Sequence, residues 1–72
     1  MENSILTSSE TAEYMRLAQQ TVYDYVHKRT IPFYKIGKKL IFKKEELDKW
    51  LDYGGNRKAA ERVIMERQNG GK

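Results

Sequence analysis

Pro32 is the one proline in the chain, and it stands between two different hydrophobic rhythms. Its ring locks φ and removes the N–H, so no helix continues through it. Ile31 before it is pushed towards extended geometry. Upstream, apolar residues recur at helical spacing. Downstream, Phe33-Tyr34-Lys35-Ile36 and Leu40-Ile41-Phe42-Lys43 are β-rich and bracket Gly37-Lys38-Lys39. That pattern predicts two strands joined by a three-residue loop, in which glycine suits a positive φ. Alternation makes Tyr34, Ile36 and Phe42 inward candidates and leaves Phe33 for the exposed side. With 72 residues the chain falls short of the ~100–200 of an average domain, so helices and hairpin must share one small core.

Upstream of Pro32, Thr7 stands three residues before Glu10, the spacing of a capping box, so a first helix of about two turns starts at Ser8. Thr11, Ala12 and Met15 share its inner face. After Arg16-Leu17-Ala18, the stretch from Gln19 to Lys28 places Val22, Tyr25 and Val26 on one stripe. Gln19, Gln20, Tyr23, Asp24 and His27 lie opposite, so a second helix has one buried and one polar face. Two short helices about three residues apart form a helix-turn-helix candidate. Beyond the hairpin, Glu45 to Leu51 is a third helix with acids in its first turn and Leu47, Trp50 and Leu51 along its buried edge. Gly54-Gly55 stops it. Residues 57–68 carry a fourth helical pattern, with Ala59, Ala60, Val63 and Ile64 on one side. Its i, i+4 ion pairs, Arg57–Glu61 and Arg62–Glu66, run base first. A helix this short is marginal alone, so it is expected frayed or disordered unless a partner orders it. Asn69 to Lys72 reads as a tail. The expected organisation is a small α+β helix-turn-helix domain over 1–53 and a flexible or partly helical tail over 54–72.

Charge is the second constraint. Residues 25–44 hold Lys28, Arg29, Lys35, Lys38, Lys39, Lys43 and Lys44 with no acid, a block of +7 in a chain of net +4. It sits between two stretches of net −3, residues 1–24 and 45–55, and the end of the chain returns to +3. A localised block of this kind is either a solvated lysine face or a polyanion-binding surface. Other chemistries are poorly served. There is no cysteine, and the single histidine leaves no ligand set for a metal, so no cofactor is expected. No nucleophile–base pair or phosphate-cradling loop is evident, which argues against an enzyme. No apolar run approaches the ~20 residues of a membrane span, and residues 1–6 lack the look of a secretory leader. A cytoplasmic address is the expectation.

The ordered set Leu6-Thr7-x-x-Glu10-x-Ala12-Glu13, Thr21-Val22-Tyr23, Ile31-Pro32, Lys35-Ile36-Gly37 and Leu47-Asp48-x-Trp50-Leu51 resembles the excisionase-type DNA-binding domain. That domain is a small winged helix-turn-helix related to the MerR-like regulators. The resemblance covers residues 6–51 without a gap. Three positions depart from it. Arg16 and Arg29 stand where the family usually has Gly, and Ala18 where it usually has Ser. Loss of the Ser N-cap costs about 1 kcal/mol, and a non-Gly residue in a left-handed cap costs roughly as much.

The resemblance implies double-stranded DNA binding, with the second helix in the major groove and the hairpin, the wing, on the backbone or minor groove. Small proteins of this kind often act as recombination directionality factors, which bind and bend attachment-site DNA and help a tyrosine recombinase excise a mobile element. A bacterial, nucleoid-associated protein, monomeric off DNA, is the corresponding expectation. A transcriptional regulator of the same fold is the alternative, followed by a protein-interaction module with an acidic partner.

On that frame, Gln19 and Gln20 open the polar-faced helix, and glutamine pairs bidentately with adenine in the major groove. Tyr23 presents a ring on the polar face, which is wasteful without a partner. Thr21 can reach a phosphate or its own helix carbonyl. Asp24 can accept from cytosine or orient a neighbour such as Lys28. His27, Lys28 and Arg29 are phosphate candidates at the helix end. Lys38 and Lys39 at the wing tip are the strongest electrostatic candidates, with Lys35 and Lys43 on the wing strands. Trp50, by contrast, belongs to the core. The C-terminal stretch is either a solvated tail or a segment that orders on the recombinase, a neighbouring copy or DNA.

Overall fold

Thr7 and Glu10 close the reciprocal cap: Thr7 N–H donates to Glu10 Oε1 at 2.9 Å, and Glu10 N–H donates to Thr7 Oγ1 at 3.1 Å. This starts α1 (Ser8–Met15) in the computed structural model, which describes residues 4–70 and side chains from Ser4 to Arg67. Thr11 and Ala12 are buried under it, as their spacing predicts. Gly71 and Lys72 of the expected tail lie outside the described residues.

Helix α1 ends on Arg16, in the left-handed region at φ 58°. Its N–H and that of Leu17 return to the Glu13 and Ala12 carbonyls at 3.2 and 2.8 Å. Ala18 is extended and offers no side-chain cap to α2 (Gln19–Lys28). Helix α2 in turn ends on Arg29, again left-handed at φ 60°, with Arg29 and Thr30 N–H on the Val26 and Tyr25 carbonyls. Both helices therefore end in the same double-bonded turn, built on arginine where glycine would be free of strain.

Ile31 and Pro32 are buried and lead into the hairpin of β2 (Tyr34–Ile36) and β3 (Lys39–Lys43). Its loop has two residues, not the three expected. Gly37 takes φ 61° and Lys38 keeps a negative φ, the arrangement of a II′ turn, so Lys39 joins the strand opposite Ile36. That register corrects the expected alternation. Tyr34 pairs with Ile41 and Lys35 with Leu40, so Phe42 and Leu40 share one face and Tyr34 and Ile36 the other. Phe42 is fully buried, whereas Ile36 is 63% exposed. Ile5–Leu6 forms a third strand, β1, opposite Lys43 and Phe42, giving the antiparallel order β1-β3-β2. Two residues are too few to show a period, so the sequence reads them only as an apolar lead-in.

Helix α3 (Lys44–Asp52) follows β3 directly. Leu47 and Trp50 are buried, and Trp50 Nε1 donates to the Asn56 carbonyl at 3.0 Å while its ring meets Tyr25 edge-on. Leu51, expected on the buried edge, is 53% exposed instead. It lies about 40° from Leu47 but about 100° from Trp50, on the rim of the stripe.

The largest difference is at the C-terminus. Residues 57–70 form α4 (Arg57–Gly70), started by Asn56, whose Oδ1 accepts from Ala59 N–H at 2.9 Å. Ala59, Ala60 and Val63 are buried in the same core as Val22, Phe42, Leu47 and Trp50. The small alanines let the helix approach α3 closely. Tertiary packing supplies what an isolated helix lacks, so the expected frayed helix is a packed one, and the expected boundary after residue 53 falls within one shared core. The structure is thus a four-helix, three-stranded α+β fold of the winged helix-turn-helix type.

Candidate nucleic-acid interface

The capped turn after α1 and the Val22 anchor fix α2 so that its polar side faces outward. Gln19, Gln20, Tyr23, Asp24, His27 and Lys28 are all exposed. Two bonds run along this face at i, i+4: Gln19 Nε2 donates to Tyr23 Oη at 3.0 Å, and Gln20 Nε2 to Asp24 Oδ1 at 3.2 Å. Asp24 therefore holds Gln20, not Lys28. Each glutamine is held in place before any partner arrives, which lowers the entropy lost on a base contact.

The wing stands beside this helix. An open cleft of about 430 Å³ is lined by Ser9, Gln19, Tyr23, Lys38 and Lys39, among others. A second, of about 630 Å³, is lined by His27, Arg29, Phe33, Lys35 and Lys38. Lys38 belongs to both, so the wing tip divides a continuous surface running from the start of α2 to its end. Among the described residues, neither lining contains an acid. A cationic concavity free of carboxylates keeps its full attraction for a polyanion.

The two clefts do not gather every candidate. Gln20 and Lys28 are exposed on α2 outside them, and Thr21 is half-buried. Lys43 is set apart. Its Nζ lies over the Tyr34 ring at 5.3 Å, in a depression shared with Glu46, Glu66 and Arg67. Lys43 therefore sits at the base of the wing, away from both clefts. Arg57 went unnoticed in the sequence, since it fell in the supposed tail. Its Nη2 donates to the Lys28 carbonyl at 3.1 Å, at the end of α2. A cation at a helix C-terminus is favourable, and this one adds charge beside His27, Lys28 and Arg29.

The base of the wing is held by α4. Arg67 donates twice to Glu46, at 2.8 and 3.1 Å, and stacks 3.8 Å above the Tyr34 ring. Tyr34 Oη donates to Glu46 Oε2 at 2.8 Å. Burial and the adjacent Glu46 carboxylate push the Tyr34 phenol up to about 12. Glu46 was read only as a helix-dipole residue, because its partners lie 12 and 21 positions away. Among the described residues no cluster of His, Cys, Asp or Glu is placed to hold a metal, and no helix is long and apolar enough to cross a membrane.

A two-helix unit with a polar-faced second helix and a flanking cationic hairpin defines the winged helix-turn-helix class of nucleic-acid binders. A family model described as a helix-turn-helix domain matches residues 5–52. The match spans 48 of the 72 residues, and the chain belongs to this excisionase-like, DNA-binding family. No curated protein and no solved structure matches the chain significantly.

Proposed function

We propose that this protein binds double-stranded DNA sequence-selectively and acts as a recombination directionality factor. Helix α2 enters the major groove, where Gln19, Gln20 and Tyr23 meet base edges. Lys28, Arg29, Lys35, Lys38 and Lys39 neutralise phosphates along α2 and the wing. The observation that carries this reading is the pair of acid-free clefts in which Gln19, Tyr23 and His27 of α2 meet the lysines of the wing. Its excisionase-like part is supported by the family. One module of this size gives modest specificity, so neighbouring copies at repeated sites, or a tyrosine recombinase, complete the assembly.

An amide NMR titration with a random duplex of about two helical turns tests the DNA surface. Residues 19–29 and 35–39 shift together, and the shifts collapse at high salt. No change in either stretch at low salt overturns DNA as the partner and favours an acidic protein. A bending assay on DNA flanking the native gene then separates the recombination role from promoter regulation: a sharp bend next to a recombinase gene supports the former, straight binding at a promoter the latter.

A further inference from the structure

Ile36 is the most exposed large apolar residue of α2 and the wing, at 63%. Single exposed hydrophobic residues are ordinary on protein surfaces, and Leu51 and Met65 elsewhere on this one need no special account. The placement of Ile36 is different. It is the last residue of β2, immediately before the Gly37-Lys38 turn, and opposite Lys39. Lys35, Lys38 and Lys39 surround it in sequence, and all three are exposed. An apolar side chain on a hairpin end that carries cations on its strands and turn fits a polyanion with an apolar interior. Stacked bases between two phosphate backbones have that chemistry.

The wing is also braced where a wedge must be. Tyr34, two residues back on the same strand face, is fixed by Glu46, by the stacked Arg67 and by Lys43 above its ring. Only two residues separate this clamp from the exposed tip. The hairpin is thus tied to α3 and α4 close to its tip. Minor-groove proteins that kink DNA insert an apolar side chain between base steps and hold the phosphates on either side with cations.

We propose that Ile36 is a minor-groove wedge: it inserts at a base step, partly unstacks it and produces the bend. This rests on the DNA-binding reading above and names the residue that would deform the duplex. Pyrimidine–purine steps, which unstack most easily, are its preferred place. Selectivity would then arise partly at a step that no polar side chain reads.

The test uses the full chain and a duplex of about two turns with a central TA step, a 2-aminopurine beside it and dyes at the ends. The wild-type protein raises 2-aminopurine fluorescence and shortens the end-to-end distance at saturation. Ile36→Ser loses both at saturating protein, while keeping the salt dependence of binding, since no charge is removed. Ile36→Met restores both, which a mere folding defect would not allow. Lys38→Ala does the opposite of Ile36→Ser: its salt slope falls by about one, and the bend at saturation stays. If Ile36→Ser unstacks and bends the duplex as the wild type does, the wedge is overturned. Wild-type binding with a normal salt slope but no fluorescence rise overturns it too, and leaves the DNA-binding reading standing. Failure of the wild type to bind any duplex removes that reading itself.

Discussion

Replacing Lys38 and Lys39 together by alanine isolates the wing's share of DNA affinity. Five cations, Lys28, Arg29, Lys35, Lys38 and Lys39, are exposed along α2 and the wing. Each neutralised phosphate contributes about −0.9 to the slope of log affinity against log salt, so the wild type should show a slope of about −4.5. Between 50 and 200 mM salt that is a loss of roughly 500-fold. The double variant keeps three cations, a slope of about −2.7, and a loss of only ~40-fold over the same range. Both lysines are exposed, so their removal should change stability by no more than about 0.5 kcal/mol. Fluorescence anisotropy of a labelled random duplex at four salt concentrations measures both slopes. Lys43→Ala is the control: with its ammonium over the Tyr34 ring and outside both clefts, it should leave the slope near the wild-type value. A double variant with the wild-type slope would take the wing out of the interface. A steep drop for Lys43→Ala would mean that the DNA reaches past the wing tip to the base of the hairpin.

Other outcomes follow from particular contacts. Val63→Ala should cost about 2 kcal/mol in denaturant unfolding, because two buried methyl groups are lost from a core position that is 2% exposed; a cost near zero would mean that α4 is not docked in solution. Arg16→Gly should gain somewhat less than 1 kcal/mol, since the left-handed strain of roughly 1–2 kcal/mol is relieved against a floppier unfolded chain. Arg29→Gly should gain as much in stability yet flatten the DNA salt slope by about 0.9, a split that melting and anisotropy read separately. Thr11→Val should raise stability by about 1 kcal/mol, as the buried Thr11 hydroxyl has no hydrogen-bond partner among the described residues. Tyr34 holds its proton more tightly folded than unfolded, so its contribution is complete below pH 10 and lost as pH rises towards about 12. The alkaline fall in stability should therefore be shallower in Tyr34→Phe, and equal falls in the two proteins would disprove that linkage.

Local chemistry was legible in the sequence. The cap at Thr7–Glu10, the bounds of α2, the stop at Pro32 and the burial of Trp50 all depend on residues a few positions apart. The three departures from the family pattern were also legible, because Arg16, Ala18 and Arg29 occupy the turn and cap positions that a Gly or Ser would ease. What failed depended on register and distance. Moving Lys39 from loop to strand sets which cross-strand neighbours share a face, and it places Tyr34 and Ile36 opposite Phe42. The Glu46–Arg67–Tyr34 clamp joins three elements, and no local pattern announces it. The pairing Arg62–Glu66 does form, at 3.5 Å, but Arg57 turns to the Lys28 carbonyl instead of following the helix rule.

These distant contacts give α4 a structural position that its sequence hides. The family match ends at residue 52, and α4 begins at Arg57. Yet its first residue holds the end of α2, and Arg67, ten residues on, holds the base of the wing. At about 1.5 Å per residue those two grips lie roughly 15 Å apart along the helix. A helix is stiff over that length, and Val63 pins its middle to the core. The spacing between the polar face of α2 and the lysine tip of the wing is therefore set from behind, by an element that touches neither cleft. Duplex DNA presents its grooves at a fixed pitch, so two separate reading elements gain from being held at a fixed separation.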